Sequence, residues 1–505
     1  MAILGKVIKT AIEIKQTLTP VMKDAQQAQE EQLRYLLEQA QQTAFGIYYG
    51  FAGILDSEDI CATFQEKVPI HDYDKIYQKW WKQQQVVPNI TWPGKPDFFA
   101  LSSGTTGKSS KRIPVTKEML AAFRSVGISQ VESLANYDLP ADFFEKDILM
   151  LSSSADLARR KGHLEGEISG INTSNLPGWF DGFYKPGLEI AQIDDWDERV
   201  TAIADAAPEW DVVAIAGIPS WIKMMLETII KRHQLKNIHE IWPNLAIYAS
   251  GGVAFEPYRN ALEKLMQHPL IYMDTYLASE GFFAFTPRPG SMDMQLALKH
   301  QIFFEFIPFD ESGFDETGEL LPDPKVFTIG EVEEGKDYAL LVSTPAGAWR
   351  YLIGDTVKFT DLEKGEMVIS GRTKYFLNVV GSQLSEEKIN KAMQCLAEDL
   401  RLDIDEFAVA AILNEKEAYI HQWVLGTDTS IDNKEIAHKL DDILKGLNKN
   451  YAVARKKALK DIKVKTVPTS TLYSWLESRK KKGGQIKMPK VMKEEMMMDL
   501  LAFSH

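Results

Sequence analysis

The chain has 505 residues, 45% of them hydrophobic, with 71 acidic against 57 basic side chains for a net charge of −14. This gives a soluble, globular chain of roughly two to four domains, argues against a nucleic-acid partner, and obliges any bound polyphosphate to find a local positive site. Two cysteines, Cys61 and Cys395, are too few for a disulfide framework and fit a reducing cytoplasm, and no apolar run approaches the roughly 18 residues that cross a bilayer.

The opening helical pattern interleaves Lys6, Lys9 and Lys15 with an apolar stripe, so it reads as neither a secretory signal nor a membrane span. Residues 25–44 are predicted to be a packing helix with Leu33, Leu36, Leu37 and Ala40 on its buried face. Trp80 and Trp81 are adjacent and cannot share one helix face, so one is expected in the core and the other at a partly covered edge.

The most informative stretch is Ser102, Ser103, Gly104, Thr105, Thr106, Gly107, Lys108, Ser109, Ser110, Lys111. Its glycines let backbone N–H groups approach an anion, and its hydroxyls and lysines add donors and charge, which is how a chain cradles phosphate. A plain mobile connection uses the same residue types. A Walker loop does not fit: Ser102 stands where its first glycine belongs, and Pro114 prevents a helix from Lys108. Phe98 to Leu101 reads as a strand entering this stretch, Ile113 to Val115 as an extended segment leaving it, and Thr116 as the N-cap of a helix.

Short apolar runs at 147–154, 212–217, 245–250 and 271–277 alternate with helical patterns at 198–206, 221–233 and 258–266. That order predicts a largely parallel sheet covered on both faces, with ligands beyond the carboxyl ends of its strands. One such end carries Gly251 and Gly252, which fit either a tight turn or a flat base lying on the backbone. Another carries Ser279 and Glu280, which fit either a helix start or a carboxylate that holds Mg²⁺. From Gln301 the pattern turns to alternating strands, within which Gly354 and Asp355 read as a hairpin turn or as an acid that binds ribose. After Gly371 and Arg372 a small α+β unit follows: a hairpin at 407–425, a helix at 433–449 and a strand at 461–467. The basic run Lys480 to Pro489 near its end reads as solvated surface.

In this order the pieces resemble the adenylate-forming superfamily, and more closely the Gretchen Hagen acyl acid amido synthetases, the auxin-responsive promoter family. The resemblance rests on Ser-Ser-Gly-Thr-Thr-Gly-Lys-Ser-Ser-Lys-Arg-Ile-Pro from Ser102, Thr-Tyr-Leu-Ala-Ser-Glu-Gly from Thr275 and Tyr-Leu-Ile-Gly-Asp-Thr-Val from Tyr351. Phe304-Glu305-Phe306-Ile307-Pro308, Gly371-Arg372-Thr373-Lys374 and Gln485-Ile486-Lys487-Met488-Pro489 support it.

The resemblance implies an α/β fold: a large N-terminal adenylate-forming domain with mixed sheets and flanking helices over 1–381, and a smaller mobile α+β domain over 382–505, hinged at about 372–385. It implies ATP and Mg²⁺, with Ser102, Ser103, Thr105 and Thr106 on the phosphates, Glu280 on the metal, Thr275, Tyr276 and Ser279 on the nucleotide, and Asp355 on the ribose; Gly251 and Gly252, from their place at a strand end, are expected to contact the nucleotide as well. Arg372 would lie near the hinge and Lys487 would swing in from the small domain. The implied reaction joins a carboxylic acid, activated as its acyl-adenylate, to an amino acid. A CoA thioester made through the same adenylate, and a non-catalytic nucleotide-binding protein, are the alternatives. Three departures stand out. Phe303 occupies a position where the family often has tyrosine, Gln383 falls where plant members carry a hinge lysine, and 124–130 does not align with their acyl-carboxylate region, so no acid is transferred.

Overall fold

The computed structural model describes residues 6, 9–11, 25–102, 111–160, 162–315, 318–373, 384, 386–414, 418–429, 431–457, 459–479 and 488–504. Among them no helix is long and apolar enough to cross a membrane.

The predicted packing helix spans Ala25–Ala40 and buries Leu33, Leu36, Leu37 and Ala40 as its 3.6-residue period requires. Its buried Gln29 is fully used: the amide donates to the carbonyls of Leu298 (2.8 Å) and Ile302 (3.0 Å) and accepts from the Phe304 N–H (2.7 Å). The tryptophan pair departs from expectation, since Trp80 and Trp81 are both buried. They lie in a single turn of π-helix, Tyr77–Trp81, with core on both sides: Trp80 packs on Phe45, and Trp81 lies against Tyr351.

Strand Phe98–Ser102 pairs antiparallel with Lys111–Val115, Ser102 opposite Lys111, so both strands predicted to flank the hydroxyl-rich stretch are present. His163–Gly166 and Ala158–Arg160 complete this small sheet, in which Lys111–Val115 is an edge. Thr116 caps the next helix, Lys117–Ser133, its hydroxyl accepting from the Met119 N–H at 3.0 Å.

The large sheet contains the predicted parallel strands side by side: Asp147–Met150, Val212–Gly217, Ile247–Gly251 and Ile271–Ala278. The helices Trp196–Ala206 and Pro219–His233 cover one face through a core that includes Ile203, Ile222, Met225 and Leu226. Beyond Ile271–Ala278 the sheet turns antiparallel, through Gly281–Phe285, Met294–Leu296, Glu366–Arg372, Ala348–Asp361, Asp337–Thr344 and Phe303–Pro308. Phe303 is wholly buried against Phe64 and so faces the core. Glu305 is equally committed to structure, taking the Arg350 Nε at 3.1 Å on both oxygens.

A third sheet is built from Glu406–Leu413, Tyr419–Gly426 and Asp461–Val467, the first two pairing as the predicted hairpin. Strand alternation sends Val409, Trp423 and Leu425 to one face, under Glu386–Leu400 and Asn433–Leu447, and Ala408, Ala410 and Val424 to the other, under Thr469–Ser478 and Glu494–Phe503. This unit meets the large sheet's helical layer through charge. Lys223 Nζ contacts Asp405 at 2.7 Å, Lys264 pairs with Asp403, and the buried Tyr258 hydroxyl donates to Glu406 Oε1 at 2.8 Å. Lys490 Nζ takes the other oxygen of Glu406 at 2.6 Å.

Candidate active site

The carboxyl end of the parallel strands is where a ligand is expected, and it is chemically the most loaded part of the molecule. Gly251 ends its strand opposite Thr275, and a methyl group in place of its hydrogen would come within 2.5 Å of Thr275 Oγ1, so only glycine lets the two strands close here. Thr275 Oγ1 donates to the Ser250 carbonyl at 2.7 Å, while Gly252 turns the chain away with φ +83°. Of the two readings its sequence left open, the structure shows the turn, at Gly252, while Gly251 makes room for Thr275 on the neighbouring strand.

Strand Ile271–Ala278 runs past its neighbour and reverses at once: Ala278 pairs with Gly281, so Ser279 and Glu280 form the tip of a tight hairpin and no helix begins there. Glu280 is buried at that tip. Burial raises its carboxyl pKa above the ordinary value and the Asp355 charge raises it further, while the Lys111 ammonium and the Tyr351 hydroxyl favour the ionised form.

Asp355 is also buried, and it does not stand in a hairpin turn. It lies inside the 14-residue strand Ala348–Asp361, whose register against Asp337–Thr344 slips by two residues between Leu352 and Thr356. Gly354, at φ +94°, supplies the left-handed backbone this bulge needs. Three strands separate Asp355 from Tyr276 in the order of the sheet, yet the sheet curls enough for the Tyr276 hydroxyl to donate to Asp355 Oδ2 at 2.7 Å. Arg372, opposite Asp355 on the adjacent strand, meets Oδ1 with its Nε at 2.8 Å. Burial and then the Asp355 charge raise the Tyr276 pKa well above its ordinary value, so it stays a donor.

The structure thus brings together Gly251, Gly252, Thr275, Tyr276, Ser279, Glu280, Asp355 and Arg372, while Ser102, in the smaller sheet, pairs with Lys111, whose charge acts on Glu280. Ser103, Thr105, Thr106, Lys374, Gln383 and Lys487 lie outside the described residues. Lys111, the last residue of the stretch read as a phosphate cradle, acts on Glu280, and so does Tyr351, to which the sequence reading assigned no role of its own. Tyr351 had a usable signal, since residues two and four apart on a strand share a face and Tyr351 precedes Asp355 by four.

Among the described residues no cluster of three His, Cys, Asp or Glu side chains could hold a metal by itself. Glu280 offers what a cation shared with phosphates needs: a desolvated carboxylate whose ionised form a nearby positive charge would favour.

The profile of the GH3 family N-terminal domain matches residues 14–206, that of its central domain residues 295–369, and that of its C-terminal domain residues 387–496. The chain is 25% identical to the indole-3-acetic acid-amido synthetase GH3.2 of Arabidopsis thaliana, over 38% of this chain and only 37% of that one. It is also 25% identical to the jasmonoyl–L-amino acid synthetase GH3.5 of Oryza sativa subsp. japonica, over 92% of this chain and 91% of that one. In fold it is similar to the GH3.15 acyl acid amido synthetase, with a TM-score of 0.77 at 17% identity over 96% of this chain and 94% of that one. A 2-hydroxyisobutyryl-CoA ligase in its postadenylation state shares the fold with a TM-score of 0.58 at 12% identity, over 94% and 90% of the two chains.

Proposed function

Since the chain belongs to the GH3 family, we propose that it activates a carboxylic acid with ATP as the acyl-adenylate and passes the acyl group to the amine of an amino acid. A free carboxylate resists amines because its oxygen is a poor leaving group and its charge repels nucleophiles. Attack of the acid on the α-phosphorus, with departure of pyrophosphate, converts it into a mixed anhydride that an amine can open.

One observation carries this reading: Asp355 receives Tyr276 from one motif and Arg372 from another. A carboxylate has about four acceptor sites, and these two donors leave two for the hydroxyls of a ribose. In this reading Asp355 holds the ribose, and Gly251, Gly252, Thr275, Tyr276 and Ser279 shape the nucleotide cleft. Ser102, Ser103, Thr105 and Thr106 bind the phosphates, and Lys487 serves the adenylation step. Magnesium held jointly by Glu280 and the phosphates would supply charge neutralisation when bound.

We place the domain boundary at 381/382, with Arg372 at the start of the hinge over 372–385. The small domain then moves between the two half-reactions.

Acid-dependent exchange of pyrophosphate into ATP, run over a panel of carboxylic acids, tests activation. Supplying amino acids or CoA to the reactive acid then tests transfer. Amide product is expected, and thioester alone would establish the CoA alternative.

A further inference from the structure

Lys111–Val115 is an edge strand, so among the described residues one side of its backbone has no strand partner. At Arg112 that outward N–H is satisfied by a side chain from far away in sequence: it donates to the Tyr73 hydroxyl at 2.8 Å. Tyr73 opens the helical turn Tyr73–Ile76, which Asp72 caps through the Lys75 N–H at 2.8 Å and which runs on into Tyr77–Trp81. Its ring, stacked on Tyr77 with centroids 5.1 Å apart, has the Lys111 ammonium 5.4 Å from its centre. One tyrosine therefore engages two consecutive residues of this strand.

The Arg112 side chain is held from elsewhere again. Its Nε donates to Glu165 Oε1 at 2.9 Å, and Glu165 is 3% exposed on the same small sheet. Arg160 Nε reaches Glu165 Oε2 at 3.1 Å, and His163 Nε2 lies 3.1 Å from Oε1. Burial pushes the Glu165 carboxyl up, but Arg112, His163 and Arg160 outweigh it and hold it below the ordinary range. A desolvated carboxylate shared by three partners adds little net stability over an apolar side chain of similar volume, but it fixes where those partners lie.

We propose that Tyr73 and Glu165 are positioning residues for adenylation, clamping Lys111 and Arg112 at the edge of the nucleotide site: the segment that carries Tyr73 is itself fixed to the Asp355 strand, the His71 N–H donating to the Arg350 carbonyl at 2.9 Å and the Leu352 N–H to the His71 carbonyl at 2.8 Å. The inference rests on the reading of the preceding section and adds two residues that touch neither nucleotide nor acid.

The test is acid-dependent ATP–pyrophosphate exchange by the full chain and by Tyr73→Phe, Glu165→Gln and the double variant, each with its melting temperature. Tyr73→Phe keeps the ring facing Lys111 and removes the backbone acceptor; Glu165→Gln keeps the shape and removes the charge. Each is expected to lower kcat for exchange about tenfold with the KM for the acid unchanged, since small misplacements of catalytic groups are costly. Because both release the same strand, the double variant should be no slower than the slower single variant. A purely structural role would instead lower melting temperatures and leave kcat of the folded protein at the wild-type value, which would overturn the proposal, as would effects that multiply. If Glu165→Gln does not fold, Tyr73→Phe decides alone. A wild-type chain that exchanges with no acid would remove the adenylation reading and this inference with it, whereas an active wild type with equally active variants removes this inference only.

Discussion

The Tyr276 hydroxyl and Asp355 Oδ2, 79 residues apart in the chain, are joined at 2.7 Å in a buried contact. The bond is charge-assisted and desolvated, which places it among the stronger kinds. If Asp355 holds a ribose, Tyr276 sets the angle at which it does so. Tyr276→Phe should raise the KM for ATP roughly tenfold, and Asp355→Asn by more, because hydrogen bonds to a charged group contribute about 1.5–3 kcal/mol each. Exchange kinetics over a range of ATP concentrations check both; unchanged KM values would detach this pair from the nucleotide.

In its proposed role Glu280 would set function against stability. Burial beside Asp355 raises its folded pKa, so the folded state holds the ionised form at a cost that is present at neutral pH and disappears as pH falls through that raised value. Glu280→Gln removes the cost and should melt at or above the wild-type temperature at pH 7, while exchange falls roughly a hundredfold, as for loss of one preorganised electrostatic group. Calorimetry and exchange on the same preparation check the pair of outcomes.

The contacts between the small α+β unit and the large sheet's helices are unequal. Lys264 and Asp403 are half exposed, so Lys264→Ala should cost no more than about 1 kcal/mol, with the pair's contribution fading in high salt. Glu406 is buried and the Lys490 side chain is only 10% exposed, so Glu406→Ala would leave a largely desolvated ammonium unpaired, at a cost of about 3–5 kcal/mol. Denaturant unfolding of the two variants distinguishes these costs.

Acid should destabilise the fold before the carboxylates titrate. Burial, partly opposed by a hydrogen bond to the Trp349 carbonyl, lowers the His71 pKa to about 4, and burial with the Arg455 charge lowers that of His421 to about 3. Unfolded imidazoles protonate near pH 6.5 and the folded ones do not, so stability is full above that pH. It is then lost progressively as pH falls toward 4 for His71 and toward 3 for His421. Each histidine contributes up to about 1.4 kcal/mol per pH unit across its window. His421 has neither ring nitrogen hydrogen-bonded, so His421→Phe should flatten the slope between pH 6.5 and 5 without lowering stability at pH 7. Urea unfolding at pH 7, 6 and 5 reads this directly.

How much of this was legible in the sequence varies with the range of the interactions. The parallel strands, the Thr116 cap and the hairpin ending at Gly426 follow from local periodicity and capping chemistry, and they lie where that chemistry puts them. The Gly354 bulge was read as a possible turn because a glycine–aspartate pair signals the same positive φ in either setting, and only the flanking register distinguishes them. Trp80 and Trp81 defeated the one-face rule because core surrounds their turn on both sides. The Tyr73–Arg112 and Lys490–Glu406 contacts were invisible, since they join segments that share no pattern and meet only once the sheets have formed.

In the proposed reaction, segments around Gly251, Glu280 and Asp355 embrace a single nucleotide. A crystal structure with a non-hydrolysable acyl-adenylate analogue tests it most directly. The ribose hydroxyls are expected on Asp355 and the phosphate between Thr275 and Lys111, on the Glu280 side. A nucleotide seated away from Asp355, or an analogue bound with Asp355 and Glu280 facing separate cavities, would contradict it.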